Sequence, residues 1–138
     1  MADILTIKER SERMRLIRFK DTKPEVIVRK MLFGMGYRYR LHSKNLPGRP
    51  DIIFYSRKKV IFVHGCFWHR HKNCRLARLP KSKLSYWVPK LAANNKRDAR
   101  NQKKLRKLGW HVFVVWECNL ANQKLLANRL RRFIETHE

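Results

Sequence analysis

Residues 50–71, PDIIFYSRKKVIFVHGCFWHRH, hold two short runs rich in Ile, Val and Phe, Asp51 to Tyr55 and Val60 to His64. The polar tetrad Ser56, Arg57, Lys58 and Lys59 separates them, a pattern that predicts an antiparallel hairpin. With those four residues as the loop, Tyr55 pairs with Val60 and Asp51 lies directly opposite His64, while Asp51, Ile53 and Tyr55 share one face. A carboxylate beside an imidazole can hold a divalent cation and position water, as phosphodiester hydrolysis requires. In isolation, Asp51 is more simply read as the end of a Gly48-Arg49-Pro50 turn, because Asp is common beside Gly and Pro.

Upstream, Thr22-Lys23-Pro24-Glu25 combines an early helical proline with the Thr-x-x-Glu pattern of a capping box. With Val26, Ile27, Val28, Met31, Leu32 and Met35 behind it, a helix is predicted over 23–35, closed by Gly34 and Gly36. Tyr37 to His42 alternates like a strand. Downstream, Val88, Leu91, Ala92, Ala99, Leu105 and Leu108 fall near helical spacing in a strongly basic segment, Tyr86 to Leu108. The apolar run His111 to Trp116 predicts a strand covered on both faces, inside the sheet. An amphipathic helix over Leu120 to Ile134 follows. This order implies an α/β sandwich, a mixed sheet flanked by helices. Residues 8–20, KERSERMRLIRFK, predict a short basic helix from Ser11 that either grips DNA or lies as a solvated arm.

The 138 residues suit one domain, with 1–20 as a basic arm and 21–138 as the core, and an apolar fraction of 43% supports a folded chain. Lys and Arg number 34 against 10 Asp and Glu, a net charge of +24, so the expected partner is a polyanion. No apolar stretch has the length of a membrane-spanning helix and the N-terminus lacks an apolar signal core, which favours nucleic acid in the cytoplasm over a membrane surface. Between residues 26 and 134 the only carboxylates are Asp51, Asp98 and Glu117. The helical neighbours of Asp98 are Asn94, Asn95, Asn101 and Gln102, so no local salt bridge accounts for it and a function does. Glu25 is explained almost as well by the capping box as by chemistry.

Cys66, His71 and Cys74 are spaced Cys-x4-His-x2-Cys, and Cys118 follows the apolar strand. Three thiolates and an imidazole fill a tetrahedral Zn²⁺ site with no open position, a structural staple between two distant segments. An odd cysteine count and the absence of secretion signals argue against disulfides. His69 can replace His71 in this set, and spacing does not choose between them. The adjacent aromatics Phe67 and Trp68 cannot easily both point inward, so at least one is expected to be exposed.

Taken together, GRPD at 48–51, FVHGCFWHRH at 62–71, NNKRD at 94–98 and LGWHVFVVWEC at 108–118 resemble the very-short-patch-repair (Vsr) DNA mismatch endonucleases. The likeness extends from the RSERMR and DTKPE segments to Cys118, most of the chain. It implies a restriction-endonuclease-like core with a structural zinc site. The implied reaction is a Mg²⁺-dependent nick in duplex DNA 5′ of the thymine in a T:G mismatch, of the kind left by deamination of 5-methylcytosine. By motif position it implies Mg²⁺ on Asp51 and the backbone carbonyl of Val63, orientation of water by Glu25, His64 and Asp98, and His69 as general base. Position 63 is Val where Thr is sometimes found, which leaves the carbonyl role intact. Cys66, His71, Cys74 and Cys118 match the zinc ligands. Phe67, Trp68 and Trp87 match aromatics that wedge into the helix beside the mismatch, and Met14 lies on a segment that crosses the opposite groove. The implied partners are mismatched DNA and mismatch-repair accessory proteins, with the protein a monomer at the nucleoid.

Two other functions compete. A zinc-stapled nucleic-acid binder without catalysis needs only the basic helix, the aromatics and the Cys₃His set. An acid at the mouth of a cationic groove counts against it, because that acid repels phosphate unless a cation intervenes. A restriction-like nuclease on matched DNA keeps the chemistry but requires a dimer or a further recognition module.

Overall fold

The computed structural model describes residues 22–136, so the basic N-terminal segment and Met14 lie outside the described residues. Helix α1 spans Lys23–Gly34 and starts as its sequence directs. Thr22 Oγ1 accepts from the Glu25 N–H at 3.4 Å, and the Glu25 carboxylate accepts from the Thr22 N–H at 3.2 Å. Gly36, at φ +94°, turns the chain out of the helix. The strand expected over 37–42 shrinks to β1, Arg40–Leu41. His42 adopts a left-handed φ of +51° and ends the extended run, while Tyr37 and Tyr39 pack edge-on against Phe54.

Strands β2 (Ile52–Phe54) and β3 (Lys59–His64) form the antiparallel hairpin. Its register differs from the sequence expectation: Phe54 pairs with Lys59 and Ile53 with Val60. The loop is therefore Tyr55 to Lys58, closed by a Lys58 N–H bond to the Tyr55 carbonyl at 3.3 Å. Continuing that register sets Asp51 against Phe62, two positions short of His64. A shift of two leaves every side chain on its expected face. The register is favoured by Lys59, which is buried in the strand and donates its ammonium to the carbonyls of Phe133 (2.6 Å), Ile134 (2.8 Å) and Thr136. Those carbonyls close helix α3, Gln123–Glu135, whose start is capped by the Asn122 side chain. Lys59→Met is expected to cost about 1–3 kcal/mol by leaving these carbonyls unpaired, measured by chemical denaturation.

Helix α2, Leu84–Lys107, crosses from β3 to β4 (His111–Trp116), which pairs parallel to β3 from Lys59 with His111 through His64 with Trp116. The sheet order is β1-β2-β3-β4, so β4 is an edge strand and not the interior strand expected. Its apolar run has another cause. Val112 and Val114 pack with Ile53, Val60, Phe62 and Leu105 beneath α2, while Val115 joins Val28, Leu32, Ile52, Ile61, Leu126 and Leu130 beneath α1 and α3. Both faces are covered by helices although no strand pairs with its outer edge among the described residues. The result is the mixed α/β sandwich expected. No described helix is long and apolar enough to cross a membrane.

Candidate active site

Beyond β3 the chain enters a loop of residues 65–83, and its turns separate the histidines. The His69 N–H bonds the Gly65 carbonyl at 3.2 Å and the His71 N–H bonds the Cys66 carbonyl at 3.0 Å. Arg70, between them, is left-handed at φ +54°. His69 folds back over His64, ring on ring, with centroids 3.8 Å apart and planes 8° apart. Its Nδ1 pairs with the carboxylate of Asp98 on α2, which gives the lone acid of that helix its partner. Asn95 also donates to the His69 carbonyl at 3.1 Å. That contact escaped the sequence reading although the residue lies within the NNKRD motif.

His64 is 4% exposed, and burial, with help from the charge of His69, pushes its pKa down to about 3. It is a neutral ring at physiological pH. Its Nδ1 is buried and has no hydrogen-bond partner among the described residues.

A second group gathers Glu25, His42 and Asp51, with ligand atoms within 4.8 Å of one another. Glu25 is 1% exposed, and its Oε1 lies 3.0 Å from both Arg29 Nη2 and His42 Nε2. The capping box and the site therefore use the same side chain, one oxygen each. His42 was not among the residues singled out in the sequence, because only the left-handed turn after β1 brings it here. Asp51 Oδ2 accepts from the Val63 N–H at 2.6 Å. Burial, together with repulsion from Glu25, pushes the Asp51 pKa up to about 7 against the opposing pull of that N–H. A buried and a half-buried carboxylate held this close fit a site for a divalent cation.

Asp51, Val63, His64, His69 and Asp98 line one cavity of about 1010 Å³. The structure thus unites Asp51 and His64 across a cavity wall and not as a cross-strand pair. Gly48 forms part of the rim at φ +75°, and a Cβ there would meet Asn101 Cβ at 3.0 Å and the Phe62 ring at 3.2 Å. Gly48→Ala is expected to destabilise the fold by about 1–3 kcal/mol and to displace the Pro50-Asp51 corner, read by thermal unfolding.

The remaining cluster lies on the other side of the loop. Cys66, His71, Cys74 and Cys118 present ligand atoms within 4.8 Å of one another, with His71 Nδ1 3.4 Å from Cys118 Sγ and 3.7 Å from Cys66 Sγ. His71 accompanies the thiols and His69 does not. Burial pushes the Cys66 thiol up to about 12. Three sulfurs and a ring nitrogen converging in this way fit Zn²⁺, whose charge would favour the thiolates.

Phe67, Trp68 and Trp87 form an edge-to-face cluster with centroids 5.3–5.7 Å apart, and Tyr86 extends it at 4.9 Å from Trp87. Phe67 and Trp68 are both half-buried, because each covers the other, so neither is freely exposed as the sequence had suggested.

A mixed sheet between helices, with Asp51, Asp98 and the stacked pair His64 and His69 in one cavity, agrees with the relatives in making the protein a nuclease. The catalytic domain of the homing endonuclease I-Bth0305I shares the fold, with a TM-score of 0.59, 19% identity, and coverage of 85% of this chain and 98% of that domain. The model of the family "DNA mismatch endonuclease Vsr" matches residues 2–76. The DNA mismatch endonuclease Vsr of Escherichia coli K12 is 40% identical over 128 residues, 93% of this chain and 81% of its own. The type II nicking enzyme V.XorIIP of Xanthomonas oryzae pv. oryzae is 50% identical over 135 residues, 98% of each chain. The type II nicking enzyme V.NmeAIP of Neisseria meningitidis serogroup A is 46% identical over 134 residues, 97% of this chain and 95% of its own. The chain belongs to the Vsr family of DNA mismatch endonucleases.

Proposed function

We propose that this protein is a repair endonuclease that nicks duplex DNA 5′ of the thymine in a T:G mismatch by Mg²⁺-dependent hydrolysis. The observation that carries the reading is the single cavity shared by Asp51, His64, His69 and Asp98. Asp98 occupies Nδ1 of His69, which leaves Nε2 to take the proton from attacking water as general base. His64, neutral and stacked beneath, with Glu25 and Asp98, orients that water. The Asp51 carboxylate and the Val63 carbonyl are the groups to hold Mg²⁺, which supplies positive charge against the developing charge on the phosphate. Cys66, His71, Cys74 and Cys118 hold a structural Zn²⁺ that ties the loop after β3 to the end of β4.

Recognition falls to the aromatic cluster. A mispaired step is easier to unstack than a matched one, so Phe67, Trp68 and Trp87 convert that difference into selectivity when wedged into the helix. Trp87→Ala is expected to narrow the preference for mismatched over matched duplex by roughly 10-fold, as an aromatic-base stack contributes about 1–3 kcal/mol; competition nicking measures it. The net charge of +24 supplies affinity without sequence information. Residues 1–20 act as a DNA-contacting arm, with Met14 in the opposite groove, on one domain that works as a monomer.

The test is a pair of end-labelled duplexes, one with a T:G mismatch and one fully paired, incubated with Mg²⁺ or chelator. A Mg²⁺-dependent nick confined to the T strand of the mismatched duplex is expected. Tight binding with no nick across several mispairs and flanking sequences would leave a zinc-stapled binding module, and cleavage of both strands of paired DNA would make it a restriction-like nuclease.

A further inference from the structure

We propose that Trp116 is a positioning residue for the reaction: its indole, packed between His71 of the cysteine cluster and His64 of the cavity, sets the plane of His69. The inference rests on the role of His69 proposed above.

Trp116 ends β4 opposite His64 in the parallel register, and its N–H donates to Asn119 Oδ1 at 2.8 Å. The His71 ring lies flat on the indole, with centroids 4.2 Å apart and planes 12° apart. His64 meets the same indole edge-on at 5.3 Å and 75°. His69 then lies flat on His64, and Asp98 closes the row. A continuous file of packed rings, His71, Trp116, His64 and His69, therefore runs from the cysteine cluster to the cavity.

The file matters because His64 has no polar anchor at Nδ1 among the described residues. A ring without a hydrogen bond there takes its orientation from packing, which for His64 means Phe62 at 5.6 Å, Trp116 and His69. Of these, Trp116 also stacks on a residue of the cysteine cluster, His71. A metal-ligating imidazole has its plane constrained by its ligand bond and its neighbours, so loading that cluster fixes one face of the indole. The indole in turn fixes His64, and His64 fixes the ring above it. Trp116 is not among the residues that line the cavity and is not one of the proposed DNA contacts, so its effect falls on the rate of chemistry and not on binding.

The test compares Trp116→Leu and Trp116→Phe with the wild type as full-length, zinc-loaded proteins. Zinc per chain, affinity for T:G duplex, single-turnover nicking and the imidazole proton resonances of His69 are measured. In Trp116→Leu, zinc content and affinity are expected to stay within about 3-fold of wild type while the single-turnover rate falls on the order of 10²-fold, the size of a misplaced catalytic group. The His69 resonances, which belong to a ring the indole does not stack on, shift or broaden in the same variant. Trp116→Phe, which keeps an aromatic face, recovers most of the rate and the resonances. A rate within about 3-fold of wild type, a rate loss that merely follows lost zinc, or unchanged His69 resonances overturns the proposal. If the wild type nicks no mismatched duplex, the proposed reaction fails, and the His69 resonances still decide whether Trp116 sets that ring.

Discussion

Asp51→Asn is expected to lower the single-turnover nicking rate by on the order of 10³-fold, with affinity for mismatched duplex held within about 3-fold. Asparagine keeps the size of the side chain and can still accept from the Val63 N–H, so the loss isolates the charge. The same change has the opposite sign on stability. Without a divalent cation, Asp51 lies half-buried near Glu25, and desolvation pushes its pKa up to about 7 from 3.8. A carboxyl whose folded pKa is raised contributes stability below pH 3.8 that is lost as the pH climbs through about 7. In chelator, the wild type should therefore lose on the order of 1–4 kcal/mol between pH 4 and 8, and the asparagine variant should lack that slope. Mg²⁺ should flatten the wild-type curve alone. A variant that is slower and also less stable at pH 8 would show that Asp51 acts through the fold.

Cys118→Ser is expected to remove bound zinc and lower the melting temperature by about 10 °C or more. The argument lies in what else holds the loop of residues 65–83. Within it, only Cys66 and Ala77 are buried, so the hydrophobic effect ties it down weakly. Cys118 belongs to the turn after β4, where a shared ion would join two segments distant in sequence. Serine is nearly isosteric but a poor zinc ligand, so packing survives while the donor set does not. Nicking should fall with the metal, because His69 and the aromatic pair Phe67 and Trp68 share that loop. Retained zinc with an unchanged melting temperature would show that the cluster is not a structural metal site.

Local chemistry explains what the sequence by itself determined. The Thr22 to Glu25 capping box, the helical course of α2 and the strand over His111 to Trp116 depend on neighbours a few residues away, and the structure forms all three, although of the apolar positions read on α2 only Leu91 and Leu105 are buried while Val88, Ala92, Ala99 and Leu108 are exposed. The grouping of Cys66 and Cys74 with a neighbouring histidine is legible in their spacing, though not which histidine. Asp98 stood out because its helix offers it no partner, and its partner proved to be His69, 29 residues earlier.

Only the tertiary structure decided the rest, because it depends on groups that meet through the fold. The hairpin register turns on a buried Lys59 that finds its acceptors some 75 residues away, beyond the reach of any alternation pattern. An apolar strand reports covered faces and says nothing of its edge, so β4 could be read as buried but not as the last strand of the sheet. Two histidines two residues apart offer the same chemistry to zinc. The left-handed turn at Arg70 sends one to the thiols and the other to Asp98, and no property of the imidazoles themselves encodes that choice.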